Sequence, residues 1–261
     1  MRLLLRPQNT ACHLRQTAND QRRPQTDGAS AYGGSHRVCN VIRAICTGQD
    51  NRKTNSDERV DLTAVDHRDF LGELADHRHF VGDQHDRDAE LAVDVGSGDG
   101  IMLSSLSPLF EHVLAVEKSP AQLARCQKRI EEECLNNVQT FGGRFEATEI
   151  IEYVDRKNGA DLVTAVSVMR HTASPQAAVK QLARLLAGGG TLLCADYLPH
   201  NDIALQERRG DVWLGFEPDA IQSWMEEAGL VVTNQFQLSS GYFTQRHDSH
   251  LPMHVLTAVK P

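Results

Sequence analysis

A glycine-rich loop in the stretch AVDVGSGDGIM, residues 92–102, has residue types and a spacing that suit ligand binding. Gly96, Gly98 and Gly100 alternate directly after a short apolar run. Glycine allows a tight turn and lets the backbone approach a ligand where a Cβ would collide. Asp94, just before the loop, can accept hydrogen bonds from loop amides or from a ligand ammonium. The loop is therefore a candidate binding site for a cofactor.

The glycine spacing differs from the dinucleotide fingerprint GxGxxG. Counted from Gly96, the third glycine of that fingerprint would fall at Ile101. The loop reads DxGxGxG instead, so it lacks the glycine that packs the first helix against the strand in dinucleotide-binding folds. Nicotinamide-dependent oxidoreduction is consequently poorly supported.

A second acidic residue follows the next apolar run. The stretch VLAVEKSP carries Glu117 at the predicted end of a strand, and a helix is predicted to begin at Ser119, with Pro120 in its first turn. Carboxylates at this place in nucleotide-binding folds accept the ribose hydroxyls. Ligands of open parallel sheets bind beyond the carboxyl ends of the strands. We therefore expect Asp94 and Glu117 to lie at one edge of a sheet.

The elements that must position these residues are seven apolar runs. Amphipathic segments lie between the first five, which is typical of a mainly parallel sheet covered on both faces. The turn-like SSGYFTQRHDSH joins the last two runs without a helix, so we predict that they pair antiparallel. The fold class is α/β, a doubly wound, seven-stranded Rossmann-like sheet. The predicted strands are 91–95, 112–116, 137–141, 160–166, 190–198, 230–238 and 253–259.

Four motifs of residues 90–261 resemble, in order and spacing, those of class I S-adenosylmethionine-dependent methyltransferases: DVGSGDG, VEKSP, ADLVTAVSVMRH and ARLLAGGGTLL. The resemblance implies S-adenosylmethionine as the cofactor. It also implies a role for each matching residue: Gly96, Ser97, Gly98 and Gly100 wrap the methionine part, Asp94 lies beneath it, Glu117 binds the ribose, and Lys118 flanks the adenine.

The chain departs from this family after the third strand. Many members carry Gly-Asp there, and the aspartate bonds the adenine amino group. This chain reads Gly142-Gly143, followed by Arg144. We place Gly143 and Arg144 in the adenine region and expect backbone groups to replace the missing carboxylate.

Residues 198–230 resemble the tail of methyltransferase domains fused behind arsenic-repressor-type (ArsR) winged helices. Those tails read roughly PHxxxxxRExxxHxWLGF. Gln206 stands where the usual arginine is found and Asp211 where the usual histidine is found, which predicts an altered acceptor or a weakened activity. Residues 1–89 contain no helix-turn-helix pattern, so a DNA-binding role does not carry over. The residues that fit are Pro199, His200, Glu207, Trp213, Leu214, Gly215 and Phe216.

Two histidines are candidate catalytic residues, namely His171 after the fourth strand and His200 after the fifth. Methyl transfer needs mainly an oriented acceptor and the exclusion of water. A general base is required only when the acceptor must lose its proton early. A structural role remains open for both histidines. Trp213 and Phe216 suit either an acceptor pocket or the core.

The sequence favours a small-molecule acceptor and disfavours nucleic acid. The net charge of −8 lies wholly on residues 90–261, because residues 1–89 balance 13 Lys and Arg against 13 Asp and Glu. Phosphate backbones require clustered basic residues. The Asn-Pro-Pro-Tyr type of motif, which holds the amino group of a base, is absent after the fourth strand. The alternative is a non-catalytic cofactor-binding or scaffold protein with a degenerate acceptor site.

The N-terminal third differs in composition from the rest. Residues 1–59 are polar, with one aromatic residue, and are predicted to be a low-order extension. Residues 60–89 form a possible helix and connector, whose histidines match no metal-ligand spacing, and residues 90–261 form the cofactor-binding domain. No apolar stretch is long enough for a bilayer and no secretory signal is found, so we expect a cytoplasmic protein without membrane partners. The sequence leaves the oligomeric state open.

Overall fold

The computed structural model describes residues 89–238 and 250–261. The extension predicted over 1–59 and nearly all of the connector predicted over 60–89 lie outside the described residues. Within the described ranges, no helix is long and apolar enough to cross a membrane.

The described chain alternates strands and helices from β1 to β5 and ends in two further strands. A 3₁₀ turn at Met169–His171 follows the fourth strand. The elements, in chain order, are β1 Leu91–Val95, α1 Leu103–Leu106, β2 His112–Glu117, α2 Pro120–Glu132, β3 Val138–Gly142, α3 Thr148–Arg156, β4 Ala160–Val166, α4 Pro175–Leu185, β5 Leu186–Tyr197, α5 Ile203–Arg209, α6 Pro218–Glu227, β6 Val231–Leu238 and β7 Met253–Val259.

The seven strands form one sheet in the order β3-β2-β1-β4-β5-β7-β6. The first five are parallel, and β7 runs antiparallel to both β5 and β6. This confirms the predicted sheet. The chain leaves β1 towards β2 and β3, then returns to β4 on the other side of β1. The carboxyl ends of β1 and β4 therefore flank the topological switch point, where open sheets bind ligands.

Helices cover both faces of the sheet, so the central strands β1 and β2 are buried on both sides. Side chains alternate along β1: Leu91 and Val93 belong to one apolar cluster, and Ala92 to the other. Helices α3, α4 and α6 contribute to the first cluster, and α1, α2 and α5 to the second. Burial on both faces explains why the strands read as continuous apolar runs.

Helix α2 begins as predicted and ends earlier. The Ser119 hydroxyl accepts a hydrogen bond from the Gln122 amide at 3.4 Å, and Pro120 occupies the first turn. The stretch SPAQLARCQKRIEEECL, residues 119–135, predicts a helix with Cys134 on its apolar face. The helix ends at Glu132, so Cys134 lies beyond it with φ of 55°. Cys126 is the fully buried residue of this helix.

Strand β5 begins four residues before its predicted start. Leu186 pairs with Ala160, and the register then shifts before Thr191 pairs with Leu162. The glycine run at 188–190 therefore lies within an irregular part of the strand. A Cβ at Gly190 would lie 2.5 Å from the Ala160 carbonyl oxygen, so glycine permits this close pairing.

Candidate functional site

The glycine loop follows β1 and is tied to β2. The amides of Gly96 and Ser97 donate to the Val116 carbonyl at 2.8 and 3.1 Å. The φ angles of Gly96 and Gly98 are 67° and 58°, in the left-handed region that favours glycine. A Cβ at Gly96 would lie 2.7 Å from the Val168 side chain, whereas a Cβ at Gly98 would meet nothing closer than 3.9 Å. Gly96 is thus required for packing, and open space adjoins Gly98.

Glu117 connects this loop to the start of α2. Its carboxylate accepts the Gly98 amide at 2.9 Å and the Ser119 amide at 2.7 Å, one on each oxygen. An ionised carboxylate has about four acceptor positions, so both oxygens keep capacity for ligand hydroxyls. The Glu117 carboxylate therefore ties the glycine loop to the start of α2.

Asp94 carries a polar atom that has no partner. Its Oδ1 accepts the Thr164 hydroxyl at 2.7 Å, and its Oδ2 is buried without a hydrogen bond. Burial raises the pKa of Asp94 to about 7; the Thr164 hydrogen bond opposes this shift and the charge of Glu117 adds to it. A buried carboxylate oxygen beside a binding loop is stabilised by a cationic or N–H group of a ligand. Thr164 was missed by sequence reasoning, although a hydroxyl within the apolar run ADLVTAV was a signal.

The predicted adenine region lies at the end of β3. The Gly143 amide donates to the Glu117 carbonyl at 3.0 Å, so this residue adjoins the carboxylate strand end. The Arg144 side chain is exposed and pairs with Glu146 at 3.0 Å. Lys118 is exposed directly after Glu117. Gly143 and Lys118 therefore adjoin the end of β2, whereas Arg144 directs its charge to Glu146.

A buried arginine organises the other side of the site. Arg170, 2% exposed, binds Asp196 through Nη1 at 2.8 Å and Asp211 through Nε at 3.2 Å. Its guanidinium carbon lies 4.3 Å from the centre of the Tyr197 ring. Sequence reasoning missed Arg170 and Asp196, although an aspartate inside the apolar run GTLLCADYL is an unusual residue to bury.

His171 lies against this ion-pair cluster. Its Nδ1 is 3.2 Å from Oδ1 of Asp211, and the side chain is 30% exposed. Burial and the charge of Arg170 lower the pKa of His171, while Asp211 and Asp196 oppose the shift. The imidazole is therefore neutral at pH 7. Oδ2 of Asp211 is buried without a partner.

His200 lies near the same cluster but has different contacts. Its backbone amide donates to the Leu214 carbonyl at 2.9 Å, and its ring packs edge-on against Tyr197. Nδ1 accepts the Asp202 amide at 3.2 Å, whereas Nε2 is buried without a partner. Burial lowers the pKa of His200.

The motif residues 212–216 wrap around the turn that carries His171. The indole N–H of Trp213 donates to the Thr172 carbonyl at 2.8 Å, and its backbone amide donates to the Arg170 carbonyl at 3.2 Å. Trp213 is 40% exposed, whereas Phe216 is buried in the core. A Cβ at Gly215 would lie 2.2 Å from the Leu198 carbonyl oxygen, so the motif needs a glycine there.

The sheet order, the glycine loop at the switch point and the acid at the end of β2 together define a Rossmann-like protein. A family model described as a methyltransferase domain matches residues 65–235. The chain belongs to this methyltransferase family.

Known proteins show similarity at low sequence identity. The ubiquinone biosynthesis O-methyltransferase of Maricaulis maris is 28% identical over 103 residues, 40% of this chain and 39% of that protein. The alignment thus spans about two fifths of this relative. The resemblance of residues 198–230 to ArsR-fused domains stays a prediction.

Solved structures share the fold. A candidate methyltransferase of Bacillus halodurans superposes with a TM-score of 0.54 and 17% identity over 67% of this chain and 94% of that one. The N-methyltransferase NodS of Bradyrhizobium japonicum, in complex with S-adenosylhomocysteine, superposes with a TM-score of 0.50 and 14% identity over 66% and 78%.

Proposed function

We propose that the protein is an S-adenosylmethionine-dependent methyltransferase of a small-molecule acceptor. The observation that carries the proposal is the unpartnered, buried Oδ2 of Asp94, on the strand that leads into the glycine loop. Glu117 supplies acceptor capacity at the next strand end. An ammonium, two ribose hydroxyls and a compact methionine chain fit this set of groups.

In this proposal, residues at three strand ends bind different parts of the cofactor. The loop from Gly96 to Gly100 wraps the methionine part, Asp94 accepts its ammonium, and Glu117 accepts the ribose hydroxyls. Lys118, Gly143 and Arg144 adjoin the adenine. When bound, the cofactor supplies a methyl group on a positively charged sulfur, which an acceptor lone pair displaces in line.

The acceptor side lies beyond β4 and β5, where His171, His200 and Trp213 converge on the Arg170 cluster. The family membership supports methyl transfer, and NodS, which shares the fold, binds S-adenosylhomocysteine. The acidic charge of residues 90–261 supports a small acceptor in preference to nucleic acid.

A scaffold protein that binds the cofactor without turnover is the second candidate function. The departures at Gly143, Gln206 and Asp211 favour it. Asp211, however, is fully buried and makes ordered contacts with Arg170 and His171. Those contacts favour a different acceptor site over a lost one.

Calorimetric titration with S-adenosylhomocysteine tests the proposal directly, with NADH as the control ligand. We expect micromolar binding of S-adenosylhomocysteine alone. Binding of NADH alone, or of neither compound, would refute the cofactor assignment. A broad acceptor screen with labelled cofactor then separates the enzyme from the scaffold.

Replacement of Gly98 by alanine is expected to weaken S-adenosylhomocysteine binding at least tenfold, which corresponds to about 1.4 kcal/mol. The new Cβ would enter open space that we assign to the ligand. Calorimetry measures the change.

Gly229→Ala is the matched control for this substitution. Gly229 also has a positive φ, 83°, and a Cβ there would meet nothing within 4 Å. Both variants should therefore lose a similar stability, about 1 kcal/mol, from left-handed backbone strain. Equal affinities of the two variants would show that the ligand does not approach Gly98.

A further inference from the structure

We infer that His171 accepts the proton of the methyl acceptor, that Asp211 positions it, and that the acceptor is a small aromatic ring bearing a hydroxyl group. This inference rests on the proposed function and adds the substrate class and the division of roles between the two histidines.

The contacts of His171 fix which of its nitrogens can accept a proton. Nδ1 lies 3.2 Å from a carboxylate oxygen of Asp211, which stabilises a proton on Nδ1. The neutral ring therefore keeps its lone pair on Nε2. Asp211 is itself held by Arg170, and both belong to the buried interior. This arrangement of a buried carboxylate behind a half-exposed imidazole suits a general base.

The contacts of His200 assign the opposite tautomer. Its Nδ1 already accepts the Asp202 amide, so the proton of the neutral ring lies on Nε2. Nε2 is buried and has no partner. His200 cannot accept a proton without breaking the bond from Asp202. Of the two histidines, His171 is therefore the one that can act as the base.

A fixed aromatic surface adjoins His171. Trp213 is 40% exposed, and two hydrogen bonds, from its indole and from its backbone, hold it to the carbonyls on either side of His171. Its ring lies 5.9 Å from the buried ring of Phe216. A rigid, partly exposed indole favours stacking with a planar ring. The presence of a base favours a hydroxyl group over an amine in the acceptor. A neutral amine can attack the methyl carbon with its lone pair without help from a base, whereas a hydroxyl group must give up its proton.

The proton balance of the transfer is simple. The acceptor O–H gives its proton to Nε2 of His171, and the oxygen lone pair forms the new bond to the methyl carbon. The electron pair of the broken S–C bond stays on sulfur. The resulting imidazolium faces Asp211 and Asp196, which stabilise it, and Arg170 and Lys118, which oppose it. It then releases its proton to water.

The test uses the full chain, labelled with ¹⁵N-histidine and saturated with S-adenosylhomocysteine. Long-range ¹H–¹⁵N spectra report the tautomer of each ring, and loss of signal in His171→Gln and His200→Gln assigns them. We expect a proton on Nδ1 of His171 and on Nε2 of His200. The reverse tautomer of His171 would overturn the inference.

Asp211→Asn removes the negative charge and keeps a hydrogen-bond acceptor. In this variant the titration midpoint of His171 should fall by roughly 0.5 to 1 pH unit, because the imidazolium loses an adjacent opposite charge. The control Asp202→Asn alters a carboxylate that caps α5 and pairs with His250. It should leave the His171 midpoint unchanged. An unchanged midpoint in Asp211→Asn would overturn the positioning role.

A labelled-methyl assay tests the substrate class with catechol and its amine analogue o-phenylenediamine. Catechol alone should be methylated, and Asp211→Asn should lower its kcat by roughly 10² with little change in KM. The acidic limb of the kcat profile should move with the His171 midpoint, because the base loses activity when it is protonated. Methylation of the diamine, or of neither ring, would overturn the hydroxyl assignment. Retained S-adenosylhomocysteine binding in the same sample separates this failure from failure of the proposed function.

Discussion

Replacement of Arg170 by methionine is expected to lower the free energy of unfolding by about 3–5 kcal/mol, the usual cost of breaking a buried ion pair from one side. Arg170 is 2% exposed and lies between two carboxylates, at 2.8 Å from Asp196 and 3.2 Å from Asp211. Methionine fills much of the same volume, so the loss reports mainly the two uncompensated charges. Urea unfolding at pH 7 without ligand measures it.

Arg144→Met is the matched control for this prediction. Arg144 pairs with Glu146 at 3.0 Å, but its side chain is 78% exposed. Exposed pairs of this kind contribute about 0–1 kcal/mol, so the control should lie close to the wild type. If the Arg170→Met variant is as stable as the control, the ion pairs contribute little to the free energy of unfolding, and water must reach the two carboxylates.

The ion-pair cluster couples stability to the proposed chemistry. The same oxygen of Asp211 contacts both Arg170 and His171. The arginine balances the carboxylate, and the carboxylate holds the imidazole. We therefore expect substitutions at Arg170 to alter the His171 titration as well as the unfolding free energy, since the histidine loses a fixed neighbour and a repelling charge.

The sheet could be predicted from the sequence because its central strands are buried on both faces. The bounds predicted for 91–95, 160–166 and 253–259 are those observed. Continuous apolar runs, separated by capped amphipathic segments, leave few other interpretations. The antiparallel end was predicted from the turn-like sequence that joins the last two runs.

Only those site residues that lie in a recognisable sequence pattern could be predicted. Asp94 and Glu117 follow apolar runs at neighbouring strand ends, so the topology brings them together. Thr164, Arg170 and Asp196 carry no such pattern. Their partners lie 26 to 70 residues away in the chain, and only the packed sheet makes them neighbours.

The contacts of Asp211 could not be predicted from its mismatch to the motif. The sequence presents it as a mismatch, because the resembling domains carry histidine there. The structure places it behind His171 with no exposed surface. The departure is thus accommodated by Arg170, which the sequence presented only as one residue of the motif ADLVTAVSVMRH.

Replacement of Asp94 by asparagine is expected to weaken S-adenosylhomocysteine binding by roughly 10- to 100-fold at pH 8, a loss of about 1.4–2.8 kcal/mol. Asparagine keeps an acceptor for Thr164 but removes the negative charge that we assign to the ligand ammonium. The same substitution should raise the stability of the ligand-free protein at pH 8, because it removes a buried charge.

The sign of the pH dependence follows from the raised pKa. Burial raises the pKa of Asp94 from 3.8 to about 7, so the folded state binds a proton that the unfolded state releases between these values. Its contribution to stability is therefore complete below pH 4 and is lost as the pH rises to 7. The loss should be roughly 2–4 kcal/mol in the wild type and absent in Asp94→Asn. The affinity for S-adenosylhomocysteine should instead increase as the pH rises, because the ligand ammonium needs the ionised carboxylate of Asp94.

Urea unfolding and calorimetry at pH 5 and pH 8 separate these effects. The wild type should unfold more easily at pH 8 yet bind S-adenosylhomocysteine more tightly there, and both trends should flatten in Asp94→Asn. The background pH dependence of other groups cancels in the difference between the two proteins. Parallel curves for wild type and variant would mean that Asp94 stays ionised throughout, and its unpartnered oxygen would then have to be solvated in the free protein.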